Sequence, residues 1–251
     1  MSRTLRIGIA QIPLVVGKKS ENIRTILDAV DAAASEHCDI VLMPECSLSG
    51  WLSQNAATDA ESVPGPSTSL IGDRCRQHDL AVVLGMEERL DRKVYNSAVF
   101  LDRRGVVRNV HRKINELEIG RALYSVGDRL SVIEFEGWLV GLDICADSWT
   151  APIVDTLYLM GANVILSPCA WAIDPGGEDT NTAWIGENYR AHTVDKDLYI
   201  LAANSVGELP TPHPWAGRIL HGDSLAYGPG GHRIAHAPRS RPAILTVDLA
   251  I

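Results

Sequence analysis

The stretch LSVIEFEGWLVGLDIC (residues 130–145), followed by APIVDTLYLMGA (151–162) and NVILSP (163–168), decides the fold class. β-Branched and aromatic residues lie on both sides of Gly137, so residues 130–145 read as a hairpin of two antiparallel strands. The next unit has a different rhythm: a helical segment, then a short apolar run of the kind covered on both faces. A hairpin feeding a helix–strand unit gives mixed sheets layered with helices, an α/β architecture.

The alternation continues outward in both directions. Upstream, LRIGIAQI (5–12) reads as a strand, and SENIRTILDAVDAAASEH (20–37) as a helix with Ser20 as the expected N-cap. DIVLMPE (39–45) is a short buried strand stopped by Pro44. A Pro/Gly-rich loop, ESVPGPSTS, leads to helix LIGDRCRQHD (70–79) and strand LAVVLGMEE (80–88). YNSAVFLDRRGVVRNVHRK (95–113) is two strands about a Gly105 turn. Downstream come helix TAWIGENYRAHTVDKD (182–197), strand LYILAAN (198–204), and further strands in HGDSLAYGPGGHRIAHA and PAILTVDL. No low-complexity linker or charge block divides the chain, so residues 1–251 are expected to form one domain. Two similar halves, each a sheet with helices on one face, can pack sheet against sheet.

Composition narrows the function classes. The 251 residues are 46% hydrophobic and 22% charged, ample for a buried core. No apolar stretch reaches the ~18 residues of a membrane helix. The N-terminal apolar run is broken by Gln11 and Pro13 and reads as a strand, not a signal peptide. A net charge of −8 disfavours nucleic acid and anionic membranes as partners. The local exception is Arg103, Arg104, Arg108, Arg112 and Lys113, read as the solvated edge of a hairpin, though it also admits an anionic substrate. Cys38, Cys46, Cys75, Cys145 and Cys169 are odd in number and form no CxxC pair, which fits free thiols in a reducing cytoplasm.

Three reactive side chains share one local setting, each directly after an apolar strand. They are Glu45 after DIVLMP, Lys113 after GVVRNVHR, and Cys145 after WLVGLDI. Strand ends are rigid mounts and can hold such heads in one cleft. A thiol with an ordinary pKa near ~8.5 needs a base to become a nucleophile, and Glu45 is the candidate. Lys113 and a backbone N–H beside Cys145 would hold the oxyanion of a tetrahedral intermediate. Each residue alone has a plainer reading: a buried structural thiol, a loop acid, a surface lysine.

Together, LMPECSLSGW, VHRKINEL and VGLDICADSW resemble the three signature blocks of the nitrilase superfamily, the carbon–nitrogen hydrolases. Further blocks resemble that family in the same order: RIGIAQIPLVVGKKSENI, YNSAVFLDRRGVV, LYLMGANVILSPCAW, ENYRAHTVDKDLYILAANSVG and HGDSLAYGPGG. The resemblance implies a four-layer α-β-β-α sandwich of two mixed sheets. It places a Glu–Lys–Cys triad on Glu45, Lys113 and Cys145, with the Ala146 amide helping at the oxyanion. It also implies acyl transfer through a thioester, no metal or organic cofactor, and self-association as a homodimer or larger homo-oligomer.

A supporting glutamate is common in the family. In INELEIGRALYSVGD (114–128) its usual place falls near Gly120, so Glu118 is the expected residue and Glu116 the alternative. Where relatives mostly carry an aromatic directly after the cysteine, this chain has Ala146, whose methyl would enlarge a substrate pocket. Asp147 resembles the amidase and carbamoylase branches, which favours a small carboxamide or N-carbamoyl substrate over a nitrile. Trp171 reads either as a pocket wall or as a core plug. His232 and His236 follow a Gly-rich turn and read as surface residues, not metal ligands. GDSLAYG lacks the GxSxG elbow of a serine hydrolase. The remaining alternatives are nitrile hydrolysis by the same triad and a catalytically inert binding or scaffold protein.

Overall fold

The computed structural model describes residues 4–210 and 215–250. In the first half, β1 (Thr4–Gln11), α1 (Lys19–Ser35) and β2 (Ile40–Leu42) are followed by the single turn α2 (Ala56–Asp59) and by α3 (Pro66–His78). Three long strands complete it: β3 (Ala81–Leu90), β4 (Lys93–Leu101) and β5 (Val107–Arg112). The second half runs β6 (Val132–Phe135), β7 (Trp138–Leu142), α4 (Ala151–Leu159), β8 (Val164–Cys169), β9 (Ala172–Ile173), α5 (Glu178–Ala191) and β10 (Tyr199–Asn204). It closes with β11 (Val206–Glu208), β12 (Ile219–His221), β13 (Leu225–Gly228), β14 (His232–His236) and β15 (Ala243–Ala250).

Two six-stranded mixed sheets result, in the orders β15-β1-β2-β3-β4-β5 and β14-β13-β10-β8-β7-β6. Each has a parallel centre, β1-β2-β3 in one and β7-β8-β10 in the other, flanked by antiparallel strands. The expected hairpins about Gly105 and Gly137 are both present, and both glycines take positive φ.

Alternation within the strands sorts the core into layers. Ile7, Ile9, Ile40, Leu42 and Phe100 of the first sheet share one cluster with Trp138, Val140 and Ile200 of the second. Their neighbours Ala10, Val41, Met43, Val82 and Leu84 point the other way and pack with Ile26, Val30, Ile71 and Cys75 of α1 and α3. Period-2 strands carrying apolar residues on both faces thus build the four-layer α-β-β-α sandwich.

Three local expectations change. Ser20 does not cap α1, which starts at Lys19 with no side-chain cap. Asn22 does the tying instead, donating to the carbonyls of Val15 and Leu48 and accepting from the Val15 amide. A third small sheet, β11-β12-β9, joins strands of two or three residues, too short to leave a periodic signal. The arginines before Lys113 offer no free anion site. Arg103 pairs with Asp39 and Glu136, Arg104 and Arg108 with Asp102, and Arg112 with Glu88. His232 and His236 are exposed on β14, as expected.

Candidate active site

The strand ends of the two sheets meet at one place. The Glu45 amide, just past β2, donates to the Cys169 carbonyl at the end of β8 (3.2 Å). Gly85 on β3 makes room for this crossing, since a Cβ there would lie 2.7 Å from Glu45 Cα. Lys113, directly after β5, is fixed by its amide donating to the Asn96 carbonyl (2.9 Å) and its carbonyl accepting from Gly127 (2.8 Å). Cys145 follows β7 at the first position of a short 3-10 turn, Cys145–Trp149, with φ of +49°. A side chain held in the left-handed region stores strain that its surroundings must enforce.

Two braces enforce it. On one side Asp147 Oδ1 accepts from the amides of Ile114 (3.0 Å) and Asn115 (2.6 Å), while Oδ2 accepts from Ile144 N (3.1 Å) and meets His111 Nε2 (2.8 Å). On the other, Ser148 Oγ donates to the Cys145 carbonyl (2.7 Å) and accepts from Asn188 of α5 (3.1 Å). His192 Nε2 meets the Ser148 carbonyl at 2.6 Å. The cysteine turn is therefore clamped between β5 and α5.

The charged heads are almost fully buried. Lys113 Nζ lies 2.6 Å from Glu45 Oε1 and 3.7 Å from Glu116 Oε1, with Glu45, Lys113 and Glu116 each 1% exposed. Asn96 Nδ2 donates to Glu45 Oε1 (2.6 Å) and reaches Glu116 Oε2 (3.3 Å). Glu45 Oε2 has no hydrogen-bond partner among the described residues. One oxygen of the acid is thus held by Lys113 and Asn96, and the other is unclaimed. A buried ion pair with an idle acceptor costs stability, and such costs concentrate at working sites.

Electrostatics follow from this packing. Burial pushes the Cys145 thiol well above its ordinary value; Cys169 and the Glu45 charge push the same way, and Lys113 pulls it down. Burial pulls the Lys113 ammonium down, but Glu45, Glu116 and Cys145 outweigh it and hold its pKa well above the usual value. Burial raises Glu116, opposed by Lys113. Burial also raises Asp147, yet His111 and the surrounding amides hold it below the carboxylate range. The Cys145 thiol thus sits buried beside the Lys113–Glu45 pair, in surroundings that disfavour its charged form.

Glu45 and Lys113 pair directly as the sequence suggested, and both set the electrostatics of Cys145. Glu118 is not in this cluster: it is exposed, and Glu116 points inward instead. The reason is steric. Gly120 lies against the Glu116 carboxyl, where a Cβ would sit 2.7 Å from Cδ, so the loop is shaped to bring residue 116 to the lysine. Ala146 does not line the cavity beside Cys145; it is fully buried, and its carbonyl accepts from Asn115 Nδ2 (2.6 Å). Trp171 satisfies both readings, lining the cavity while packing edge-on against Tyr189 (5.6 Å). Sequence reasoning missed Asn96, His111 and the brace at Asp147. Their one signal is polarity at inward positions of strands and turns that are otherwise apolar.

Cys145 opens into a cavity of about 200 Å³. Five of the chain's six tryptophans line it: Trp51, Trp149, Trp171, Trp184 and Trp215. Asn181 and Arg218 supply its polar edge. Among the described residues, no helix is long and apolar enough to cross a membrane.

The chain matches the family model described as carbon-nitrogen hydrolase over residues 6–251. An (R)-stereoselective amidase of Pseudomonas sp. is 28% identical, covering 94% of this chain and 81% of that protein. An omega-amidase of Xenopus tropicalis is 26% identical, covering 97% and 88%. A solved amidase from Nesterenkonia sp. superposes with a TM-score of 0.84 at 23% identity, covering 98% of this chain and 90% of that one, a likeness of fold.

Proposed function

Because the chain belongs to the carbon-nitrogen hydrolase family, we propose that it cleaves the C–N bond of a small carboxamide or N-carbamoyl compound through a thioester at Cys145. The observation that carries this reading is the unclaimed Glu45 Oε2, on an acid whose other oxygen is fixed by Lys113 and Asn96. The free oxygen is the proton acceptor, and the fixed one sets its direction.

The steps follow from these residues. Glu45 takes the Cys145 proton as sulfur bonds to the substrate carbonyl carbon, so thiolate need not persist in the buried site. The oxygen gains the electron pair of the broken π-bond and is held by the Lys113 ammonium and the Ala146 amide. Collapse breaks the C–N bond, and Glu45 gives its proton to the departing ammonia or amine. Glu45 then deprotonates a water that attacks the thioester, and the second collapse frees the acid and returns the proton to sulfur. Glu116 and Asn96 act as positioning residues, keeping Lys113 and Glu45 aligned.

The relatives support an amide over a nitrile, since the two named above are amidases. Five free, buried cysteines support a reducing, cytoplasmic setting. Exposed Leu159 and Met160 at the end of α4 support a homodimer or larger homo-oligomer, since such apolar surface is ordinarily covered. Replacing Cys145 by Ala tests the proposal: turnover of a carboxamide panel vanishes while the circular dichroism spectrum is kept. Retained turnover would refute it.

A further inference from the structure

The walls of the cavity carry information that the catalytic residues do not. Trp51 and Trp171 are buried at its base, whereas Trp149 and Trp184 stand at its rim, 38% and 47% exposed. The rim pair meets edge-on at 4.9 Å, and Trp51 meets Trp215 edge-on at 5.2 Å. Large aromatic surface left open beside a reactive group marks a binding surface for flat apolar matter.

The charges around these rings decide what kind. Arg218 lies 3.8 Å over the Trp215 ring and pairs through Nε and Nη2 with both oxygens of Asp174 (3.2 and 3.3 Å). Lys113 lies 5.8 Å over the Trp51 ring and is held by Glu45. An anionic substrate would have to share Arg218 with the carboxylate of Asp174, which already neutralises it. A cationic one would find the Trp51 and Trp215 rings already occupied by Lys113 and Arg218 and would meet Arg218, the one charged side chain of the cavity lining, as a like charge. The lining offers five aromatic rings and a single charged side chain that is already paired, which matches an uncharged ring best.

We propose that the preferred substrate is an uncharged carboxamide bearing a flat apolar ring, seated among Trp51, Trp149, Trp171, Trp184 and Trp215. This rests on the hydrolytic reading of Cys145. The volume agrees: a cavity of about 150 Å³ suffices for benzene, and this one holds about 200 Å³. Beyond Trp149 and Trp215 it continues into a groove of about 630 Å³ lined by Leu117 and Ile119, with Glu118 its one charged residue, mostly apolar room for a substituent on the ring.

The test compares phenylacetamide with acetamide and with ring-substituted phenylacetamides carrying a carboxylate or an ammonium group. Expected is a kcat/KM for phenylacetamide at least about tenfold above each of the others, equivalent to ~1.4 kcal/mol. Trp184→Ala, at an exposed rim position, is expected to lower the phenylacetamide-to-acetamide ratio several-fold. Equal or better use of acetamide or of either charged compound would overturn the inference. Binding to the Cys145→Ala variant, read by tryptophan fluorescence, separates the two claims. Saturable binding of phenylacetamide with no amide turned over by the wild type would leave the ring site standing and remove the hydrolytic reading. Acetamide turnover with phenylacetamide neither bound nor cleaved would do the reverse.

Discussion

The Glu45 amide donates to the Cys169 carbonyl at 3.2 Å, and this bond fastens the end of a strand in one sheet to the end of a strand in the other. The acid is therefore positioned by the sandwich itself and not by a free loop. Its approach depends on Gly85, whose position leaves no room for a methyl beside Glu45 Cα. Gly85→Ala is expected to lower both the unfolding midpoint and kcat. Unchanged kcat in a correctly folded variant would show that this crossing does not set the acid.

Lys113 is the one cation held against Glu45 among the described residues. Lys113→Ala removes an oxyanion donor and is expected to lower kcat by at least ~10². Steady-state kinetics on any accepted amide reads it, and a change confined to KM would speak against the oxyanion role.

Glu116 and Glu118 separate by burial. Glu116→Gln should lower kcat by on the order of 10–10², because it loosens the alignment of Lys113. Glu118→Gln, at an exposed position, should change kcat far less. A reversed order would return the supporting role to Glu118.

Asp147 accepts from three backbone amides and meets His111, bracing the Cys145 turn. Asp147→Asn should cost roughly 1–3 kcal/mol in urea unfolding for a buried partner lost. Its carboxylate is held below the ordinary range, so the stability it contributes is present above pH ~4 and lost as pH falls through the native value.

Two buried acids act in the opposite sense. Burial pushes Glu87 up to about 8 and Asp143 up to about 7. Their native pKa values exceed the unfolded ones, so stability is greatest below pH ~4 for these groups and falls as pH rises toward the native values, by up to ~1.4 kcal/mol per unit for each. Glu87→Gln should flatten that slope between pH 5 and 8, as measured by urea midpoints across that range. An unchanged slope would mean that Glu87 ionises as freely in the fold as in the unfolded chain.

Much of this was legible in the sequence, for physical reasons. Strands buried on both faces leave continuous apolar runs, and Gly105 and Gly137 mark their turns. Glu45, Lys113 and Cys145 stand out because each interrupts such a run at its end. The choice between Glu118 and Glu116 was not legible, because sequence spacing does not show how far a loop folds back, and Gly120 is what lets Glu116 reach the lysine. The methyl of Ala146 is buried away from the cavity lining, which its place beside the cysteine in the sequence does not show. The tryptophan wall was hidden because its members lie on separate loops and helices, joined only by tertiary packing.

Peptide-mapped labelling with iodoacetamide at pH 7 tests most directly whether Glu45 and the sulfur work together. All five cysteines are buried, but Cys145 also opens into the cavity, so the comparison with Glu45→Gln separates activation from access. Expected is alkylation of Cys145 well ahead of Cys38, Cys46, Cys75 and Cys169, slowed several-fold by Glu45→Gln because the proton acceptor is lost. Labelling of Cys145 no faster than the others, or at a rate indifferent to Glu45→Gln, would contradict that partnership.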